Sequence, residues 1–428
     1  MFHISVGAPT LVYAAPVNEA TKAWGVYSIP KLWRLPSGEL VVRFNGIKDV
    51  PGSPRLCPDL YFFSSDEGNT WSGPTDRGNI EISILGGVDF PYLKLKNGQT
   101  LAILPGSDPC PVKGIAPVHT FPIPNSPKDS YDTYRQGDLT REMFSMERVL
   151  YAPDGTEIDR KPAELLFDER EIMLIGMVNG EKIESPLSYH NCCGSPWISS
   201  LCEAEGGTLF GLVTGHNPAV AGQYSGEAYL VASEDGGLTW KCRANITKNS
   251  GRYPFGLCGD GQEVSLALGP DGTLYCVTRT NMSIGYEMPG VTMETMLFIS
   301  HDGGFTWEDE RPIADSSVTP HVIALKNGAL AVIYGRPGVH MIVSEDGGRT
   351  FSTPYSLIGT TRAEEKAAGK SFSEMDRFDV SYSNSFYTML DEESFLVLYS
   401  DMSCDPGDGL CHKVGVVRKI RISADGEG

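Results

Sequence analysis

The sequence has no long apolar run and no surplus of basic residues. No segment approaches the roughly eighteen consecutive apolar residues that a membrane-spanning helix needs. Its 35 Lys and Arg residues stand against 54 Asp and Glu residues, so the formal net charge is −19 at pH 7. Such a charge repels nucleic acid and anionic membranes. We therefore expect a small-molecule partner rather than a polymer of phosphates or a lipid surface.

The signatures of several other protein classes are also missing. The ten cysteines show neither Cys-x-x-Cys pairs nor zinc-ligand spacing, which favours buried, reduced thiols. No phosphate loop, dinucleotide fingerprint or Gly-x-Ser-x-Gly elbow is present, so the sequence predicts neither cofactor nor metal. Residues 1–16 have no basic region and no sustained apolar core, which predicts a cytoplasmic protein without an export signal.

Helical periodicity is nearly absent, and one pattern of strand, tight turn and strand recurs instead. Each turn supplies Gly or an acidic residue, and each second strand is rich in β-branched or aromatic residues, as a hairpin requires. All but one of the separations between turns match the length of a four-stranded propeller blade. The one short segment with helical character is 363–369. The six copies of the pattern are KLWRLPSGELVVRF, YLKLKNGQTLAIL, WISSLCEAEGGTLFGLV, VSLALGPDGTLYCV, VIALKNGALAVIY and FYTMLDEESFLVLY.

A second motif, Ser-x-Asp-x-Gly-x-Thr-Trp/Phe, lies between the hairpins. Its Asp can accept hydrogen bonds from the turn backbone, and its Gly suits a left-handed conformation. We interpret the motif as structural rather than catalytic. Degenerate copies occur near Asp154 and Asp425. The four clear copies span 64–71, 233–240, 300–307 and 344–351.

These repeats predict an all-β fold, a six-bladed β-propeller with Asp-box turns, and seven blades are the alternative. We expect one domain over 1–428. The longest separation between turns predicts inserted loops at about 105–145 and 159–192. The N-terminal strand, residues 2–6, is expected to complete the last blade, because a closed ring must hide its strand edges.

Asp boxes on a repeated hairpin resemble the sialidase superfamily over essentially the whole chain. The resemblance implies a clamp of three arginines for a substrate carboxylate. It also implies a Tyr nucleophile activated by a Glu, because an attacking carboxylate would meet a like charge on this substrate. An Asp on a loop would serve as acid and then as base.

Two arginines match the implied clamp. Glu263 opens an inner strand and Arg279 ends the next strand, similar to the Glu and Arg pair of the family. Arg336 follows the fifth hairpin, where the family places its last clamp arginine. The first position differs, since Tyr27-Ser28-Ile29-Pro30 carries Ser where the family has Arg. Either a cation from a loop or one of three nearby residues is expected to substitute, unless the substrate is not an ordinary sialoside: Lys31, Arg34 or Arg43.

The remaining site residues follow from the same resemblance. Tyr382 is the predicted nucleophile, although counting back from the next turn selects Asn384 instead, and Tyr387 is interpreted as core. Asp49 is the predicted acid and base, with Asp59 as the alternative. Two further residues are predicted to contact substrate at inner-strand entrances: Asp89 and His190.

The sequence leaves three functions open. The first is a retaining exo-glycosidase that acts on a small acidic glycan such as a sialoside. The second is a lyase acting on a uronate, in which Tyr382 or His190 removes the proton next to the carboxylate. The third is a non-catalytic glycan-binding propeller with Trp33 and Trp197 as stacking platforms.

Overall fold

The computed structural model describes most of the chain as β-structure. The described residues are 2–48, 54–75, 92–104, 114–123, 126–135, 138, 145–166, 171–182, 198–216, 226–247, 263–279, 294–316, 318–371, 386–405 and 407–424. In these ranges the strands form five sheets, paired almost throughout in the antiparallel sense, and a single short α-helix is present. The predicted all-β class is confirmed. Among the described residues, no helix has the length and apolar character of a membrane-spanning segment.

All six predicted hairpins form. Five of their turns place Gly in the left-handed region, for example Gly38 at φ +88° and Gly328 at φ +89°, where a side chain would be strained. The hairpins are β3(Lys31–Arg34)–β4(Leu40–Phe44), β6(Tyr92–Lys94)–β7(Thr100–Leu104), β14(Ser199–Glu203)–β15(Leu209–His216), β18(Val264–Leu268)–β19(Leu274–Arg279), β22(Val318–Ala324)–β23(Leu330–Gly335) and β26(Phe386–Met389)–β27(Ser394–Cys404).

The chain divides into two compact units. Unit 1 comprises residues 1–80, 269–271 and 313–428, and unit 2 comprises 81–268 and 272–312. Each unit is described by itself, and the closure of six blades into a propeller, like the single domain, stays a prediction.

Unit 1 contains three sheets, built on the first, fifth and sixth hairpins. In the last sheet β28 is paired by both N-terminal strands, so the prediction that residues 2–6 join the final sheet is confirmed. The helix α1(Arg362–Ala367) begins with a capping box between Thr361 and Glu364. The other strands of this unit are β1(Phe2–Val6), β2(Thr10–Ala14), β5(Leu60–Ser64), β24(Val339–Ser344), β25(Tyr355–Ile358) and β28(His412–Ala424).

Unit 2 contains a four-stranded sheet on the fourth hairpin and a twelve-stranded sheet that includes the second and third hairpins. A turn at 152–155, one of the degenerate Asp boxes, joins two outer strands of the second hairpin's sheet. The strands not yet named are β8(His119–Ile123), β9(Ser126–Arg135), β10(Ser145–Tyr151), β11(Glu157–Leu166), β12(Glu171–Val178), β13(Glu181–Lys182), β16(Gly226–Ser233), β17(Thr239–Asn245), β20(Thr295–Ser300) and β21(Glu308–Ala314).

The structure differs from the prediction of inserted loops at about 105–145 and 159–192. Strands β8 and β9 lie in the first of these segments, and β9 pairs with β12 from the second. Residues 159–166 belong to β11. The Pro-rich and charged composition of these segments did not indicate strands. A local pattern could not indicate the sheet either, because its pairing partners come from separate parts of the chain.

The apolar core lies between the faces of neighbouring sheets. In unit 2, Leu230 of β16 and Phe298 of β20 belong to one buried cluster. In unit 1, Met341 of β24 and Phe395 of β27 belong to another. Within each unit, alternating strand residues thus give neighbouring sheets apolar faces that cover one another.

The Asp boxes form closed networks of local hydrogen bonds. In the third box, Asp302 Oδ1 accepts from the Ser300 hydroxyl (2.9 Å) and from the Thr306 N–H (2.9 Å), while Oδ2 accepts from the Thr306 hydroxyl (2.7 Å). The Trp307 indole donates to the Gly304 carbonyl at 3.2 Å. These bonds, chiefly those from Thr306, lower the pKa of Asp302 to about 2. Each of these polar groups is used in a hydrogen bond within the turn, as the structural interpretation of the motif expects.

Candidate functional site

The predicted site residues that the structure describes lie at the open ends of hairpins, where the first strand begins and the second strand ends. In the fourth hairpin Glu263 precedes β18 and Arg279 ends β19. The Arg279 Nη1 group donates to both carboxylate oxygens of Glu263 at 2.6 Å. The backbone N–H of Arg279 also donates to the Glu263 carbonyl at 3.2 Å. The antiparallel register thus brings together two charges that the sequence separates.

The Glu263–Arg279 pair is largely removed from water. The side chains are 12% and 11% exposed, respectively. Removal of either partner would leave a poorly solvated charge, which is costly. A partly buried ion pair at the start of a strand can orient a carboxylate for proton transfer and can present cationic charge to an anionic ligand.

Arg336 lies at the open end of the fifth hairpin, directly after β23. It is 4% exposed, and its φ of +36° lies in a region that non-glycine residues seldom adopt. Its guanidinium carbon is 5.9 Å from the centre of the Trp24 ring, which is within the range of a cation–π contact. Arg336 belongs to unit 1 and the Glu263–Arg279 pair to unit 2.

The structure reduces the number of residues that can replace the missing clamp arginine. Ser28 is fully buried, and its hydroxyl donates to the Val26 carbonyl at 3.3 Å. Arg34 is excluded because its Nη1 donates to the Met389 and Leu390 carbonyls at the turn end. The two other candidates, Lys31 and Arg43, are register partners at the open end of the first hairpin.

Asp59 serves as an anchor for this open end. Its carboxylate pairs with Arg55, lies 3.8 Å from Arg43 Nε, and accepts from the Gly46 N–H at 2.9 Å. A carboxylate engaged by two guanidinium groups and a backbone amide suits a structural role better than proton transfer. These contacts favour the interpretation of Asp59 as a residue that fixes the strand end.

Three first strands of unit 1 lie side by side. The Lys31 ammonium of β3 is 4.8 Å from the centre of the Phe386 ring of β26. The His321 ring of β22 is 5.7 Å from the same ring. A cation, an aromatic ring and an imidazole therefore follow one another across three hairpins. Neither the His321–Phe386 contact nor the Trp24–Arg336 contact was predicted, since no sequence periodicity relates residues from different hairpins.

A second missed group lies at the start of β16. Glu227 is 7% exposed, and its Oε2 accepts from the Tyr229 hydroxyl at 2.7 Å and from the Asn245 amide at 2.6 Å. Tyr229 belongs to the buried core of unit 2. This Tyr–Glu pair is therefore a satisfied buried network rather than an accessible nucleophile.

Several predicted residues lie outside the described residues. These are Tyr382, Asn384, Asp49, Asp89, His190 and Trp197. Tyr387, interpreted as core, does pack against the core of unit 1. Trp33 is 7% exposed, so the proposal that it forms a sugar-stacking platform is wrong.

The described cysteines are free thiols, and burial raises the pKa of Cys202 to about 12. The expectation of burial is wrong for Cys411, which is exposed. In the part of the chain that the structure describes, no group of three or more His, Cys, Asp or Glu side chains could hold a metal ion.

Comparison with known proteins supports the repeat assignment. Residues 183–387 match the family described as BNR repeat-like domain. The match confirms the resemblance to the sialidase-like superfamily of Asp-box proteins. A comparison with curated proteins finds no match.

Several solved structures are similar to this chain at low sequence identity. A protein of unknown function from Dyadobacter fermentans is 16% identical, with 98% of this chain and 99% of that chain covered and a TM-score of 0.52. An α-L-arabinanase from Penicillium chrysogenum is 12% identical over 96% and 98%, with a TM-score of 0.47. An intramolecular trans-sialidase from Ruminococcus gnavus is 15% identical over 95% and 96%, with a TM-score of 0.44. The first of these likenesses shows a common fold and leaves the activity open.

Proposed function

We propose that this protein is a sialidase-like, retaining exo-glycosidase that acts on an acidic sugar such as a sialoside, on a six-bladed β-propeller. The observation that carries the proposal is the Glu263–Arg279 ion pair, held at 2.6 Å at the open end of a hairpin. It joins the two charges that this chemistry needs, a carboxylate for proton transfer and a cation for the substrate carboxylate.

Recognition of the substrate carboxylate is assigned to Arg279 and Arg336. The burial of Arg336 supports this role, because an ion pair formed away from water is stronger than one at the surface. Lys31 or Arg43 takes the place of the arginine that is absent at Ser28. Two residues outside the described ranges contact other substrate groups in this proposal: Asp89 and His190.

The proposed reaction has two steps. The Tyr382 hydroxyl attacks the anomeric carbon while Glu263 accepts its proton, and Asp49 donates a proton to the departing oxygen. Water then attacks the same carbon, Asp49 accepts the proton of that water, and the phenolate of Tyr382 leaves and regains its proton from Glu263. Two displacements return the anomeric centre to its original configuration.

The proposal is tested with a fluorogenic sialoside and the Tyr382→Phe variant. We expect release of the fluorophore by the native protein and its loss in Tyr382→Phe. The matched control is Tyr387→Phe, since Tyr387 packs against the core of unit 1 and its hydroxyl donates to the Val322 carbonyl at a long 3.5 Å. Normal rates in Tyr382→Phe would overturn the nucleophile assignment.

The buried serine at position 28 favours a second candidate, a lyase acting on a uronate. A uronate carries its carboxylate away from the anomeric carbon, so a different clamp would suit it. Here Arg279 and Arg336 would neutralise the carboxylate, and Tyr382 or His190 would remove the adjacent proton. Incubation with uronate oligosaccharides would give a new unsaturated, ultraviolet-absorbing product. Binding of either sugar without turnover would support a non-catalytic glycan-binding protein instead.

A further inference from the structure

A cavity of about 250 Å³ lies in unit 1, at the open end of the sixth hairpin. The segment 15–24, which follows β2, forms one wall, and the ends of β27 and β28 form another. Trp24 and Met402 give the lining an apolar surface, while the amines of Lys22 and Lys413 add hydrogen-bond donors. An apolar surface with a few polar groups is typical of small-ligand sites.

The cavity shares one side chain with the proposed carboxylate site. Trp24 lines the cavity and also stacks on the guanidinium of Arg336, at 5.9 Å. A ligand in the cavity would therefore lie beside whatever Arg336 binds. The indole ring offers such a ligand a flat apolar surface on which the C–H face of a sugar can stack.

Hydrogen bonds hold the cavity wall in place. Lys413 Nζ donates to the Ala23 carbonyl at 2.6 Å and to the Val26 carbonyl at 3.2 Å, which ties the segment before β3 to β28. The Thr21 hydroxyl donates to the Pro16 carbonyl at 2.5 Å. Because these bonds fix the wall, a ligand would not have to order it on binding.

We propose that this cavity binds a second pyranose ring of the glycan whose acidic sugar is recognised at Arg336. The inference rests on the proposed function. The volume lies below the roughly 300–1,000 Å³ of sites for drug-sized ligands, which suits one ring rather than an oligosaccharide. Stacking on Trp24 supplies the affinity. The N–H groups that Lys22 and Lys413 keep beyond their bonds to Glu19 and to the wall carbonyls supply donors for ring hydroxyls.

The test uses fluorine NMR of the protein labelled with 5-fluorotryptophan and lactose as the probe. Lactose is neutral, so it reports on the cavity without the carboxylate site. The chain has six tryptophans, and Trp24→Phe assigns the signal of Trp24 by its disappearance. We expect lactose to shift the Trp24 signal and to leave the signals of Trp71, Trp240 and Trp307 in the Asp boxes unchanged.

Substitutions in the cavity sharpen the measurement. Met402→Ala should weaken lactose binding about fivefold as followed by the Trp24 signal, because it removes apolar contact area, while Trp307→Phe, in an Asp box of unit 2, should leave it unchanged. An unmoved Trp24 signal at saturating lactose, or equal affinity in Met402→Ala, would overturn the inference. Sialoside turnover without a shift of the Trp24 signal would contradict the cavity proposal and leave the proposed hydrolysis standing. A Trp24 shift without turnover would leave the cavity assignment standing and remove the proposed hydrolysis.

Discussion

The turn ends and the open ends of the hairpins both contain residues with positive φ, but the residue types at these positions differ. At the turn ends, glycine occupies the left-handed positions, as at Gly38 and Gly328, except at Glu67 of the first Asp box. At the open ends, four larger residues adopt positive φ values between +36° and +57°. Backbone strain of this kind costs about 1–3 kcal/mol per residue and concentrates at functional sites. The four residues are Tyr27, Ser200, Thr319 and Arg336.

The comparison indicates that the two ends have separate tasks. The Asp-box turns satisfy their polar groups within eight residues and pack against the neighbouring sheet. The open ends draw their contacts from distant parts of the sequence, as Arg336 does with Trp24. Changes at the turn ends should therefore alter stability, whereas changes to Glu263, Arg279 or Arg336 at the open ends should alter ligand binding or catalysis.

The largest stability effect is expected at Gly304, which has φ +88° in the third Asp box. A Cβ atom there would overlap Leu230 Cδ2 of the neighbouring strand β16. Gly304→Ala should cost about 1–2 kcal/mol for the backbone and about 1–3 kcal/mol more for the overlap. The measurement is urea unfolding.

Gly303→Ala is the matched control, since Gly303 has φ +73° but its nearest contact to a Cβ, Arg243 Nη1, is at 3.8 Å. It should carry only the backbone cost. Equal losses in the two variants would contradict the view that the box glycine is required by packing between sheets.

The second largest effect on stability is expected at Asp59, which anchors an open end. Asp59→Asn removes the charge that faces Arg55 and the 4%-exposed Arg43, and should cost about 1–3 kcal/mol in unfolding free energy. Glu392→Gln is the control, because Glu392 and Lys326 form an exposed pair worth about 1 kcal/mol or less. A loss in Asp59→Asn no larger than in Glu392→Gln would contradict the anchoring role.

A smaller, stabilising effect is expected in the first Asp box. Glu67 has φ +59° where the other boxes have Gly at φ between +71° and +73°. Glu67→Gly should raise the free energy of unfolding by about 1 kcal/mol, since it relieves the left-handed strain. It also removes an exposed ion pair to Lys419, which contributes little. A lower urea midpoint would show that the strain is not the dominant effect at this position.

Much of this turn-end architecture could be predicted from sequence. Each Asp box is defined within eight residues, and each hairpin within thirteen to seventeen, so local chemistry specifies them. The Glu263–Arg279 pair was also predictable, because the hairpin register places the two positions opposite each other. The β9–β12 sheet and the Trp24–Arg336 contact were not, since they join segments that no local pattern relates.

The smallest expected effect is the loss of folding stability in acid that comes from the Asp-box aspartates at the turn ends. Hydrogen bonds, chiefly from Thr70, Thr306 and Thr350, lower the pKa of the three box aspartates Asp66, Asp302 and Asp346 to about 2, from a usual 3.8. A depressed carboxyl pKa stabilises the folded state fully above the unfolded value, and this contribution is lost as the pH falls from about 4 towards 2. The difference between the urea midpoints at pH 5 and pH 3 should be slightly smaller in Asp302→Asn than in the native protein. An unchanged pH dependence would contradict the contribution of this aspartate.

The most direct test of the division between the two ends is the activity of Glu263→Gln against Glu234→Gln. Both remove one negative charge from an ion pair in unit 2, but Glu234 pairs with Arg243 beside an Asp box and is 64% exposed. With rates for the fluorogenic sialoside corrected for the folded fraction, we expect Glu263→Gln to lose about 10²-fold or more in kcat/KM. Glu234→Gln should stay within about twofold of the native protein, since an exposed ion pair contributes little. Equal rates in the two variants would contradict the assignment of the open ends as the catalytic side of the molecule.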